Sequence, residues 1–279
     1  VIPPRQQSEG SYATAGVHDG TRPAAVTDMG APVLLVETVD RMRTLTLNRP
    51  QARNALSAEL RGLFFAALRA AEADDGVDVV IVTGADPVFC AGLDLKEFGR
   101  NTDLPDISPQ WPDMRKPVIG AINGPAVTGG LEIALYCDVL IASEHARFAD
   151  THARVGLLPS WGLSVRLPQK VGVGVARRMS LTGDYLSAED ARLAGLITEV
   201  VPHGELMSTA HRIASSIVGN NQNAVRALLD SYHRIDLSQT QTGLWIEAES
   251  ARAWMAATSG DDIAARRTAV LARGRAQVH

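Results

Sequence analysis

The chain has 279 residues, a formal net charge of -4, 46% hydrophobic and 21% charged residues, and two cysteines, Cys90 and Cys137, far apart in sequence. These values suit a folded globular chain and exclude a disulfide framework, a cysteine-based zinc cluster and nucleic-acid binding by bulk positive charge. No apolar run reaches the roughly 20 residues of a membrane-spanning helix, and the start, VIPPRQQSEG, has no signal-peptide core, so no membrane partner and a cytoplasmic location are expected.

Residues 1–30 are poor in large apolar side chains and read as an N-terminal extension. Order begins near Val33, where VLLVETV and MRTLTLN are short β-rich runs separated by Asp40-Arg41, a hairpin pattern. In NALSAELRGLFFAALRAAEAD, Leu56, Leu60, Leu63, Ala67 and Ala71 recur every three or four residues. That predicts an amphipathic helix with Ser57 as its N-cap. VDVVIVTG is a continuous apolar run, hence a buried strand. It leads through VFCAGLD to a short predicted helix, LKEF, capped by Asp94. Residues 101–113 read as a loop. PVIGAING predicts a second buried strand and TGGLEIALYCD a helix opened by glycines. VLIAS and ARFAD predict further strands. From Leu163 the pattern is mostly helical, interrupted by one short strand in LITEVV, and long helices are expected from Glu205 to about Leu271. The organisation is an α/β core over residues 31–204 followed by a helical region over 205–279.

The chemistry concentrates at two strand-to-helix turns. In VFCAGLDLKEF, Gly92 lets the backbone turn where a side chain would clash, and the amides that follow point at whatever lies in front. In INGPAVTGGLEIALYCD a strand again ends in glycines before a helix, and Glu132 sits on the first helical turn among apolar neighbours. By itself Glu132 is better read as a carboxylate complementing the helix dipole. Brought together, the two turns would form a two-donor oxyanion hole with Glu132 beside it.

From about Val33 to the C-terminus the chain resembles the crotonase, or enoyl-CoA hydratase/isomerase, superfamily. The segments that carry the resemblance are LNRPQARNALS, VFCAGLDLKEF, KPVIGAINGPAVTGGLEIALYCDVLIAS, ARFADTHARVGLLPSWG and LTGDYLSAEDARLAGLITEVV, in the family's order and spacing. The resemblance implies a spiral of repeated β-β-α units and C-terminal helices that assemble the chain into a trimer, with hexamers as pairs of trimers. It implies an acyl-coenzyme A thioester as substrate, no further cofactor and no metal. The thioester oxygen would be held by the backbone N–H groups of Leu93 and Gly129. Hydratases of this family use two carboxylates. One falls on Glu132, and the place of the second is taken here by His152, a departure from the family pattern.

Imidazole titrates near pH 6.5 and serves as acid or base, so Glu132 and His152 are the expected catalytic pair for hydrating a trans-2-enoyl-CoA in fatty acid metabolism. Asp150, two residues earlier, is a candidate to orient the imidazole, a contact that extended alternation alone does not establish. The bland alternative for His152 is a loop histidine bonded to a backbone carbonyl. Coenzyme A contacts are expected from Arg53 and Lys96, whose alternative is solvated surface charge, from the backbone at Ala55 and Ala91, and at Asp94. Trp161, where the family usually carries a small residue, would reshape the acyl pocket unless it only packs the core. Competing activities are double-bond isomerisation, thioester hydrolysis or decarboxylation, and acyl-CoA binding without turnover.

Overall fold

The computed structural model describes residues 31–97 and 111–258, together with 263, 265, 266, 269 and 270. The expectations for residues 1–30, for most of the 101–113 loop and for the far C-terminus fall outside these residues.

β1 (Leu34–Val39) and β2 (Met42–Leu47) pair antiparallel, with Val39 opposite Met42. The connecting Asp40 and Arg41 have φ of 47° and 66°, the left-handed pair that a two-residue hairpin needs to match strand twist. Arg41 is held there by the Asp78 carboxylate and the Asp75 carbonyl. α1 (Ala58–Ala73) starts at Ser57, whose Oγ accepts the Leu60 N–H at 3.2 Å, and buries Leu60, Phe64, Phe65, Leu68 and Ala71.

β3 (Val79–Gly84) and β4 (Val118–Ile122) are buried along their length. They run parallel to β2 and to β6 (Val139–Ser143), and β9 (Glu199–Val201) closes a six-stranded sheet ordered β1-β2-β3-β4-β6-β9. The apolar runs have no polar alternation because both faces are covered. Val80 and Val82 of β3 point into the core that contains α1. Val79 and Ile81 point into a second core with Leu206, Ala210 and Ala214 of α6 (Leu206–Val218).

A smaller sheet joins β5 (Ala126–Val127), β7 (Arg147–Ala149) and β8 (Leu186–Ser187) in the order β5-β7-β8. The chain thus visits the large sheet, then the small one, then returns, as a spiral does. Between these strands lie α2 (Gly129–Tyr136), the one-turn α3 (His152–Val155), α4 (Leu163–Thr182, broken at Gly172) and α5 (Ala188–Leu193). α7 (Gln222–Ala257) packs on α4.

Residues 95–97 form a turn, not the expected helix. Asp94 is turned inward, and its two carboxylate oxygens do different work. Oδ1 accepts the Lys96 N–H at 3.1 Å, as a cap would, Oδ2 pairs with Arg49 at 3.1 Å, and the Asp94 N–H bonds to the Leu56 carbonyl. The capping contact is made, but only a turn follows it over residues 95–97. Among the described residues no helix is long and apolar enough to cross a membrane.

Candidate active site

The two glycine turns lie side by side because backbone hydrogen bonds stitch them together. Cys90 N–H donates to the Pro125 carbonyl at 3.1 Å, and Val127 N–H donates to the Cys90 carbonyl at 2.9 Å. Gly92, with φ of 88°, crosses directly under Thr128, and a Cβ on it would lie 2.0 Å from Thr128 Oγ1. Gly130 is pressed as closely on the Cys90 carbonyl, 2.3 Å from where its Cβ would stand. The result brings the start of α2 against residue 93: a Cβ built on Gly129 would sit 3.6 Å from the Leu93 nitrogen. Among the described residues neither the Leu93 nor the Gly129 N–H has a hydrogen-bond partner. Both residues line one cleft, together with Ala91 and His152. Two unpaired amides facing one cleft can hold an oxyanion.

Glu132 projects from the first turn of α2 and is only 3% exposed. Its Oε1 accepts the Trp161 N–H at 2.8 Å, and its Oε2 stands 3.9 Å from His152 Nε2. That separation is longer than a hydrogen bond and lets both groups reach a common atom. His152 opens α3, not a loop. Its Nδ1 bonds Asp150 Oδ1 at 2.7 Å, and the same oxygen accepts the His152 backbone N–H at 3.1 Å. Asp150 therefore fixes the ring and leaves Nε2 directed toward Glu132.

Burial dominates the electrostatics of Glu132 and pushes its pKa up to about 7, against the pull of the His152 charge and the Trp161 amide. For His152, burial pulls downward, but the Asp150 hydrogen bond and the nearby carboxylates outweigh it and hold the pKa above its ordinary value. For Asp150, burial pushes upward, yet its bond to His152 and the imidazolium charge leave its pKa lowered. The arrangement is an ionised aspartate, an imidazole that favours its charged form, and a carboxyl poised near neutrality.

Arg53 and Ala91 line the same cleft. Arg53 adopts a left-handed φ of 55°, and its carbonyl accepts the Ala91 N–H. Ala55 lies off the cleft lining, its carbonyl accepting from Arg49. Asp94 is buried in its Arg49 pair, and Lys96 is exposed. The Trp161 ring lies in a buried aromatic cluster, 5.8 Å from Phe65 and 5.9 Å from Trp111. What Trp161 contributes to Glu132 is its backbone N–H.

Sequence reasoning missed Arg154 and Tyr185, which stand on the cleft wall, with Arg154 bonded to Asp184 at 2.6 Å. Nothing in the sequence spacing of Tyr185 signals this, because β8 brings it there from a separate turn of the spiral. The sequence also did not anticipate that Ile263 is buried with Val155 of α3 and Leu157, or that Val270 lines the cleft.

A family model described as "Enoyl-CoA hydratase/isomerase" matches residues 38–262. The chain is 37% identical over 239 residues to the probable enoyl-CoA hydratase 1, peroxisomal, of Arabidopsis thaliana, covering 82% of this chain and 89% of that one. It is 36% identical to 2,3-dehydroadipyl-CoA hydratase of Escherichia coli, covering 76% and 86%. Among solved structures, an enoyl-CoA hydratase from Mycobacterium smegmatis is 75% identical and superposes with a TM-score of 0.77, covering 82% of this chain and all of the other.

Proposed function

The chain belongs to the enoyl-CoA hydratase/isomerase family, and on that premise we propose that it is a hydro-lyase adding water reversibly across the 2,3-double bond of a trans-2-enoyl-CoA. The observation that carries this reading is the meeting of two unpaired amides, Leu93 and Gly129, with two proton-transfer groups, Glu132 and His152, around one cleft. An isomerase needs one proton shuttle. A hydratase needs both a base for water and an acid for carbon.

The Glu132 carboxylate takes a proton from water as the water oxygen bonds to C3. The π electrons move to the thioester oxygen, which the Leu93 and Gly129 amides stabilise, each by roughly 3–4 kcal/mol in the transition state. The His152 imidazolium gives its proton to C2, and the enolate collapses back to the thioester. Glu132 then holds the proton taken from water while His152 has given its own to C2, and transfer of the Glu132 proton across the 3.9 Å separation to His152 restores the starting state. Asp150 keeps the imidazole aimed throughout and favours its charged form before the transfer to C2. These steps are proton transfer and charge stabilisation only, and ask for no metal or redox group.

Arg53 on the cleft wall supports binding of the anionic coenzyme A, and Lys96 is exposed close by in sequence. The buried aromatic cluster of Phe65, Trp111 and Trp161 favours a compact acyl group. Self-association through α7 is supported by its exposed Leu228, Tyr232, Ile235, Trp245 and Ile246, and a trimer is the expected form.

Crotonyl-CoA incubated with the protein in deuterated water tests the reading. The expected product is 3-hydroxybutyryl-CoA with one deuterium at C2. Migration of a double bond without water addition, using a longer 3-enoyl substrate, overturns it in favour of isomerisation.

A further inference from the structure

Glu247 lies in the C-terminal third of α7, far in sequence from Leu93, Gly129, Glu132 and His152, and is buried to 7% exposure. It has no part in the chemistry above. Both its oxygens are committed to one turn. Oε1 accepts the Gly162 N–H at 2.6 Å and Oε2 accepts the Ser164 N–H at 2.6 Å. Gly162 is the N-cap residue of α4, with φ of 93° and no side chain to cap the helix. The carboxylate of another helix therefore performs the cap, satisfying amides that α4 leaves open and meeting the positive end of its dipole.

The residue immediately before this clamp is Trp161, whose N–H reaches the opposite way to Glu132 Oε1. Three amides of one tight turn, at residues 161, 162 and 164, are thus divided between two buried carboxylates, one from α2 and one from α7. Gly243 lets α7 come close enough for the clamp: a Cβ there would stand 3.0 Å from Val165 Cγ2. We propose that Glu247 is a positioning residue, which by clamping the turn from Trp161 to Ser164 holds the Trp161 amide on Glu132 and so sets the orientation of the site's base.

The inference rests on the reading of Glu132 as that base, and its test is independent of turnover. The Trp161 amide and the Glu247 charge act on the Glu132 pKa in opposite directions, the amide lowering it and the charge raising it. Releasing the clamp therefore moves the Glu132 titration upward, whereas deleting a mere neighbouring charge moves it downward. Glu247→Gln keeps the volume but presents one oxygen and one NH2 where two oxygens accepted. Its Glu132 carboxyl is titrated by infrared difference spectroscopy against the Glu132→Gln variant of the same background. The expected result is a higher midpoint than in wild type. In the hydration assay kcat falls about tenfold while KM changes less than about twofold. Gly243→Ala, which alters no charge and only wedges α7 from α4, should shift the midpoint the same way by less. A midpoint that falls or stays put in Glu247→Gln, or stays put in Gly243→Ala, overturns the proposal. Midpoints that rise in a protein whose wild type does not hydrate crotonyl-CoA leave the clamp standing and remove the hydratase reading.

Discussion

The acid–base pair depends on two side chains whose environments push them in useful directions. Glu132 carries a pKa of about 7 because burial disfavours its anion, and His152 is held charged chiefly by its Asp150 partner. On the proposed mechanism hydration needs Glu132 ionised and His152 protonated. The ratio kcat/KM should rise as pH increases through about 7 and fall when His152 deprotonates, giving a bell-shaped kcat/KM profile whose acid limb disappears in Glu132→Gln. That variant should retain the fold and lose about 100- to 10,000-fold in rate, the range removed with a general acid or base. Asp150→Asn should lower the pH at which the alkaline limb begins, since the imidazolium loses its counter-charge. The same shift governs stability. The folded state favours protonated Glu132, so its contribution is complete below the ordinary carboxylate range near pH 4.5 and is lost as pH rises through about 7. Glu132→Gln should therefore gain in melting temperature relative to wild type between about pH 5 and pH 8. At this scale the sequence exposed Glu132 and His152 through their motifs. It concealed that the imidazole heads a helix, and that Trp161 acts on Glu132 through its backbone N–H. Backbone hydrogen bonds depend on where a turn points, which residue identity does not encode.

Among the elements, the strands and α1 were legible because their causes are local. The α1 spacing follows from the period of the helix, and Ser57 caps it as expected. Ser57→Ala should destabilise by about 1 kcal/mol in thermal or denaturant unfolding with little change in the site. The glycine turns are different. Gly92→Ala would drive a methyl onto Thr128 Oγ1, 2.0 Å away, in a left-handed conformation that alanine resists. It should abolish hydration by parting the Leu93 and Gly129 amides, measurable as lost turnover in a protein with unchanged helical circular dichroism. The short helix expected after Asp94 does not form over residues 95–97 although Oδ1 of Asp94 accepts the Lys96 N–H as a cap would: the same residue is tied through Oδ2 to Arg49 and through its N–H to the Leu56 carbonyl, both remote in sequence. A local cap does not by itself propagate a helix where remote contacts hold the chain.

On the scale of the whole molecule, α7 does two things. Its inward stripe of Thr240, Glu247 and Ala251 packs toward the core and reaches the active-site turn. Its outward side leaves Leu228, Tyr232, Ile235, Trp245 and Ile246 exposed, more large apolar surface than an isolated surface helix normally shows. The expected outcome is a trimer by light scattering coupled to size exclusion, with Trp245→Glu shifting mass toward the monomer while the hydration rate per chain is followed in parallel. A wild-type mass equal to one chain would refute this.

By itself the sequence determined the strands of the large sheet, α1, the glycine turns and the candidates Glu132 and His152, because each leaves a local mark in spacing or motif. The tertiary structure alone decided that residues 93 and 129 meet, that Asp150 aims His152, that Arg154 and Tyr185 share the cleft wall, and that a glutamate about a hundred residues downstream of His152 clamps the turn behind Glu132. Apart from the Asp150–His152 bond, which depends on how the chain turns into α3, each of these is a contact between separate turns of the spiral. Its distance and direction are set by how the sheets and helices pack, and no periodicity along the chain records that packing.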